Sequence, residues 1–112
     1  MNPATLGRMY QHISDTANGY GLATFVKARA GRREALVGVL TDISRLVHQS
    51  VGCLDYTISR VPENEDAVFI TEYWSGRSEH RAMLELPGMF ELLDRCAELI
   101  ERFEQTTLEP VA

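Results

Sequence analysis

The eight residues Ala67-Val-Phe-Ile-Thr-Glu-Tyr-Trp74 constrain the fold more than any other stretch of the chain. Seven of them are apolar, aromatic or β-branched, the composition of a strand. Alternation places Val68, Ile70, Glu72 and Trp74 on one face and Phe69, Thr71 and Tyr73 on the other. Neither face is polar enough to be left in water, so both are expected to be covered, one of them by helices. Glu72 is the exception. A carboxylate on a covered strand needs a partner, a proton or nearby solvent, because burying it unpaired is costly.

The flanking chain supplies the elements to do the covering. Residues 20–27 read as a first strand, with Tyr20, Leu22, Thr24 and Val26 opposed to Gly21, Ala23, Phe25 and Lys27. Gly21 and Ala23 leave room for a close approach on their face. After a turn at Gly31, Leu36, Val39, Leu40, Ile43, Leu46 and Val47 form the buried stripe of a helix over about 32–50. Gly38 marks either a tight contact or a tolerated glycine, and His48 falls off the stripe as a surface residue. Gly52 supplies the positive φ that ends the helix. Residues 53–61 form a second strand, with Leu54, Tyr56, Ile58 and Arg60 on one face. The polar turn at 62–66 makes it a hairpin with the Ala67–Trp74 strand.

Beyond Trp74, Ser75 or Ser78 is placed to cap a short helix carrying His80, Met83 and Leu84. Pro87 suits the first turn of a further helix. That helix is expected to bury Phe90, Leu93, Ala97 and Ile100, with Met89, Leu92, Cys96, Leu99 and Phe103 widening the stripe. Residues 106–111 read as a final strand at a sheet edge, because Pro110 cannot donate to a ladder. Residues 1–19 form an N-terminal arm in which 5–13 have the pattern of a short helix; residues 20–112 form the domain.

The order β-α-β-β-α-α-β predicts an α+β fold, a ferredoxin-like antiparallel sheet with its helices on one face. Leu54, Tyr56, Ile70 and Trp74 are assigned to the helix side. The other face then carries Phe25, Phe69 and Tyr73, too apolar a patch for a small monomer, which predicts a homodimer.

Length and charge narrow the partners. A chain of 112 residues makes one domain. Eleven basic against sixteen acidic residues, a formal charge of -5, argue against nucleic acid, which calls for a basic surface. No apolar run approaches the roughly 20 residues of a membrane helix, and no apolar leader is present. Cys53 and Cys96 have no CxxC partner and read as reduced core residues, so a cytoplasmic location is expected. His12, His48 and His80 form no local metal motif, and no phosphate or dinucleotide loop is present, so no cofactor is expected.

Several motifs taken together resemble one family. The Gly31 turn, Val51-Gly-Cys-Leu-Asp-Tyr56, the Glu72-Tyr-Trp74 strand and the Leu84-Glu-Leu-Pro87 entry to the helix of Phe90 are similar to the antibiotic biosynthesis monooxygenase domain. The resemblance covers about 20–111. It implies a dimeric α/β barrel of ferredoxin-like units. It also implies oxidation of a phenolic or quinol-like aromatic small molecule by molecular oxygen, without metal or flavin. Tyr56, Glu72 and Trp74 match family positions. The family's two common histidines fall on Met83 and Gly88. Haem degradation is disfavoured, because the positions for its tryptophan and iron-binding histidine hold Met83 and Leu93. His80 is then the candidate catalytic base, with a reference pKa suited to a phenolic proton. Tyr56, Glu72, Trp74, Met83 and Phe90 are the candidate substrate pocket. The alternatives are a binding or stress-associated dimer without turnover, and a small isomerase of an enolisable compound.

Overall fold

A computed structural model describes residues 19–112; residues 1–18, and with them the short helix expected over 5–13, lie outside the described residues. The elements are β1 (Tyr20–Ala28), α1 (Arg33–His48), β2 (Cys53–Arg60), β3 (Ala67–Trp74), α2 (Arg77–Met83), α3 (Met89–Leu99) and β4 (Ile100–Leu108). The strands form one antiparallel sheet in the order β2-β3-β1-β4. This is the α+β, ferredoxin-like arrangement, with Ala67–Trp74 in the interior of the sheet.

Register assigns the faces. Leu22, Thr24 and Val26 of β1 lie beside Glu72, Ile70 and Val68 of β3, and all six are buried. Leu36, Leu40, Ile43 and Val47 of α1 complete that core, with Met89 and Cys96 of α3. Gly38 meets no atom within 4 Å of where a Cβ would stand, so it is a tolerated glycine. Phe25, Phe69 and Tyr73 occupy the opposite face, where the Tyr73 ring lies over Gly21. The close approach expected there is made by a neighbouring strand's side chain.

Four local expectations are corrected. Leu54 is 60 % exposed and not on the helix side, because a register shift between Cys53 and Asp55 turns Cys53 toward Trp74 instead. Neither Ser75 nor Ser78 caps α2; its N-cap is Gly76 in an extended conformation. Pro87 precedes α3 rather than opening it. Met89 N–H donates to Leu86 O across Pro87-Gly88, with Gly88 at φ 88°, which is the pattern of a type II turn.

The fourth correction concerns α3 and β4. The chain passes from helix to strand at Ile100 with no glycine or proline between them. Arg29 N–H donates to Leu99 O, and Ile100 pairs with Ala28, so the edge of β1 ends the helix. This fixes the helix phase: Met89, Leu92, Cys96 and Leu99 pack inward, while Phe90 and Leu93 are 65 % and 36 % exposed. Phe103 belongs to β4, opposite Val26.

Gly52 has the expected positive φ of 87°, but it lies in the turn after the helix C-cap Gln49. A Cβ there would come within 2.6 Å of Glu79 Cγ and Ser75 Oγ. Its carbonyl accepts from Ser75 N–H at 2.8 Å, docking the α1–β2 turn on the start of α2.

Candidate active site

Glu72 sits at the centre of the helix-facing sheet surface, between Leu22 of β1 and Tyr56 of β2. It is 6 % exposed. Trp74, two residues on and fully buried, donates its Nε1–H to Glu72 Oε1 at 2.9 Å. A strand puts residues two apart on the same face, so the Glu-x-Trp spacing brings the two side chains together. His80 reaches the same oxygen from α2, with Nε2 at 3.4 Å. Its ring packs against Tyr20 and Trp74, with centroid separations of 5.3 and 5.6 Å.

Burial controls the protonation of this group. It raises the Glu72 pKa above the ordinary 4.5, and the Trp74 hydrogen bond offsets part of that. Burial also lowers the His80 pKa below 6.5, so each partner is pushed toward its neutral form. Tyr56 is held as a neutral phenol, its pKa raised first by burial and then by Glu72. Burial pushes the Cys96 thiol up to about 11.

A cavity of about 190 Å³ lies between the helices and the sheet, with Glu72, Tyr56, Thr24, Cys96 and Gln105 in its wall. Leu93, Cys96, Ile100 and Phe103 also line an outer groove of about 530 Å³, so the two volumes adjoin. The inner wall is mostly apolar with a few convergent polar groups, the usual character of a small-molecule site.

The candidate residues fall in different places. Glu72 and Tyr56 line the cavity. Trp74 and His80 stand behind Glu72 and touch its carboxyl. Met83 is buried but faces a separate groove with Ser50, Glu79 and Leu86. Phe90 is exposed and lines none of these volumes. Tyr73 is on the opposite sheet face from Tyr56 and Trp74, as the strand alternation predicted for Trp74. Arg60 pairs with Glu34 of α1, and Arg77 lies 5.1 Å over the Tyr20 ring, so neither is aimed at the cavity. Glu72 turns inward, and its side-chain partners are Trp74 and His80.

Gln105 and Thr24 were not singled out as site residues from the sequence, and Leu93 was named only as a core residue and as a departure from the haem-degrading pattern. The signal for Gln105 was its period-two relation to Phe103, hidden by extending the helix through that residue. Among the described residues, no group of three His, Cys, Asp or Glu side chains is placed to hold a metal. No described helix is long and apolar enough to cross a membrane.

The profile of the antibiotic biosynthesis monooxygenase family matches residues 20–95. A candidate antibiotic biosynthesis monooxygenase from Chloroflexus aurantiacus is 32 % identical, with a TM-score of 0.76 over 83 % of this chain and 93 % of that one. A second such protein, from Deinococcus radiodurans, is 25 % identical with a TM-score of 0.71, over 80 % and 90 % of the two chains. SnoaB, a cofactor-independent oxygenase from Streptomyces nogalater, shares the fold at 14 % identity, with a TM-score of 0.73 over 82 % and 92 %. No functionally curated protein matches the sequence. The chain belongs to the antibiotic biosynthesis monooxygenase family.

Proposed function

We propose that this protein is a cofactor-independent monooxygenase acting on a compact phenolic or quinol-like aromatic compound. The observation that carries the reading is the Glu72 carboxyl facing a largely apolar cavity, with one oxygen held from behind by Trp74 and approached by His80. A base of raised pKa in such a place is suited to take a proton from carbon or a phenol.

In the reaction, Glu72 removes a proton from a ring CH₂ made acidic by a carbonyl conjugated with it through the ring, the keto form of a phenol. The resulting carbanion passes electrons to molecular oxygen and forms a C–O bond, giving a hydroperoxide once Glu72 returns the proton. Loss of the second C–H proton breaks the O–O bond. The product is a carbonyl and one water: R₂CH₂ + O₂ → R₂C=O + H₂O. The substrate supplies all the electrons. His80 and Trp74 act as positioning residues, holding Oε1 so that Oε2 meets the substrate. Tyr56 packs a ring against it. The inner cavity is smaller than the roughly 300–1,000 Å³ typical of drug-sized pockets, which favours one or two fused rings. The outer groove takes the rest of a longer molecule.

A cytoplasmic homodimer is the proposed form. Leu54 and Phe69, at 60 % and 39 % exposed, lie with Phe25 and Tyr73 on strands whose far face, among the described residues, has no helix over it. Free Cys53 and Cys96 suit a reducing compartment.

The test is oxygen uptake with 1,4-dihydroxynaphthalene and with anthrone, whose third ring would reach into the outer groove, measured above the uncatalysed rate. Uptake is expected in the wild type, to fall by at least about 100-fold in Glu72→Gln, as for loss of a general base. A smaller loss with an altered pH profile is expected in His80→Ala. Solvent deuterium entering the substrate without oxygen uptake would instead make the protein an isomerase. Binding with neither would make it a ligand carrier.

A further inference from the structure

The cavity has a second polar end, which the proton-transfer scheme above does not use. Thr24 is 7 % exposed and stands between Leu22 and Val26 on the buried row of β1, where packing alone would favour an aliphatic residue. Gln105 lies directly across on β4 and donates Nε2–H to Thr24 Oγ1 at 3.1 Å. Both residues line the inner cavity, Thr24 buried in its wall and Gln105 at its exposed mouth. A carboxamide nitrogen carries two hydrogens, and this bond takes one. With its oxygen accepting from Gln105, the Thr24 hydroxyl keeps its own hydrogen to donate. Among the described residues, neither of these two hydrogens has a protein acceptor.

We infer that Gln105 and Thr24 form a two-donor subsite that selects a substrate carrying a ring carbonyl or phenolate oxygen and holds that oxygen about one ring away from Glu72. The spacing follows from register. Thr24 pairs with Ile70, so it is the diagonal neighbour of Glu72, a separation of roughly 7–8 Å. A ring oxygen on the donors then sets the carbon across the ring near the carboxyl. The same two hydrogens would meet the negative charge that develops on that oxygen when the proton leaves. The inference rests on the cavity being the reaction site and adds the residues that recognise the substrate's oxygen. It also assigns Gln105, on an edge strand, the task of specificity, while Glu72 in the sheet interior does the proton transfer.

The probe pair is 1-tetralone and tetralin, two bicyclic compounds of the same shape that differ by one carbonyl. Their affinities are measured by titration calorimetry or ligand-observed NMR, without turnover. The tetralone-to-tetralin affinity ratio is expected to fall about tenfold in Gln105→Met, which keeps length but removes the donor. It is expected to fall several-fold in Thr24→Val, which keeps shape. The infrared carbonyl stretch of bound 1-tetralone should sit at lower frequency in the wild type and move back up in Gln105→Met. A purely structural role for the pair would weaken both compounds alike and leave the stretch unmoved. A ratio within twofold of wild type in both variants, or no binding of either compound by the wild type, overturns the inference. Failure of the oxygen-uptake assay with the ratio intact would remove the monooxygenase reading and leave this subsite standing.

Discussion

Replacing Trp74 by Phe should destabilise the protein more at high pH than at low pH, and the difference can be worked from the contact with Glu72. Two losses arise. One is the packing of a fully buried indole, of which the phenyl ring restores most, at about 2 kcal/mol. The other is the 2.9 Å hydrogen bond to Oε1. With Glu72 protonated the bond is neutral and contributes about 1 kcal/mol; with Glu72 ionised it is a bond to charge and contributes about 2 kcal/mol. The excess of about 1 kcal/mol at high pH is the same quantity as a rise of somewhat under one unit in the Glu72 pKa.

The sign follows from proton counting. Glu72 has a folded pKa above its unfolded 4.5, so the folded state binds more protons between those values and stability falls as pH rises through them. Removing the donor raises the folded pKa further and deepens the fall. Urea unfolding followed by circular dichroism at pH 4 and pH 8 reads the effect, at matched protein concentration. Both values stand clear of the sequence pI of about 5.1. Fluorescence is unsuitable because Trp74 is the one tryptophan. Repeating the comparison in a His80→Gln background removes the imidazole's own titration. Equal destabilisation at the two pH values, or a larger loss at pH 4, would refute the assignment of the Trp74–Glu72 bond.

Three other outcomes follow from the same geometry. Gly52→Ala should cost about 2–4 kcal/mol in denaturant unfolding, from positive φ plus overlap with Glu79 and Ser75. Adding Glu79→Ala should recover part of it but not the φ component. Glu34, hydrogen-bonded to Arg60 and Arg33, should show a carboxyl pKa of about 2 by NMR. Arg60→Gln should return it most of the way to 4.5, and high salt should do so partly, since the pair is exposed. If the proposed homodimer forms through that face, Phe69→Lys should leave the fold intact by circular dichroism and sediment as a monomer where the wild type sediments as a dimer, because a charge there opposes burial of the face.

The strands of the sheet centre were legible because each has a short, strongly alternating pattern bounded by turn residues. Tyr20–Ala28 and Ala67–Trp74 needed nothing from the rest of the chain to be recognised. The same rule misplaced Leu54, since a bulge shifts alternation by one residue and leaves no mark in composition. The helix of Met89 carries two adjacent apolar rows, one through Met89 and Cys96 and the other through Phe90, Leu93 and Ala97. Periodicity cannot choose between them. The choice is made by the Leu99–Arg29 hydrogen bond, a tertiary contact seventy residues distant. At the site, Glu72 stood out as a charge among apolar neighbours, whereas its relation to His80 depends on how α2 crosses the end of the sheet. Gln105 was invisible for a related reason: its strand begins without any breaker residue.

The interior position of β3 has a consequence for how such a site can diversify. Glu72 rides on a strand hydrogen-bonded on both sides, so its backbone can open only when the whole sheet does. Tyr56 and Gln105 ride on the two outermost strands, which fray independently and carry one laddered edge each. Side chains on those margins can be exchanged, and the strands can breathe to admit a ligand, without disturbing the carboxyl between them. The layout keeps the reactive group stationary and leaves selectivity at the periphery, where change costs the fold least.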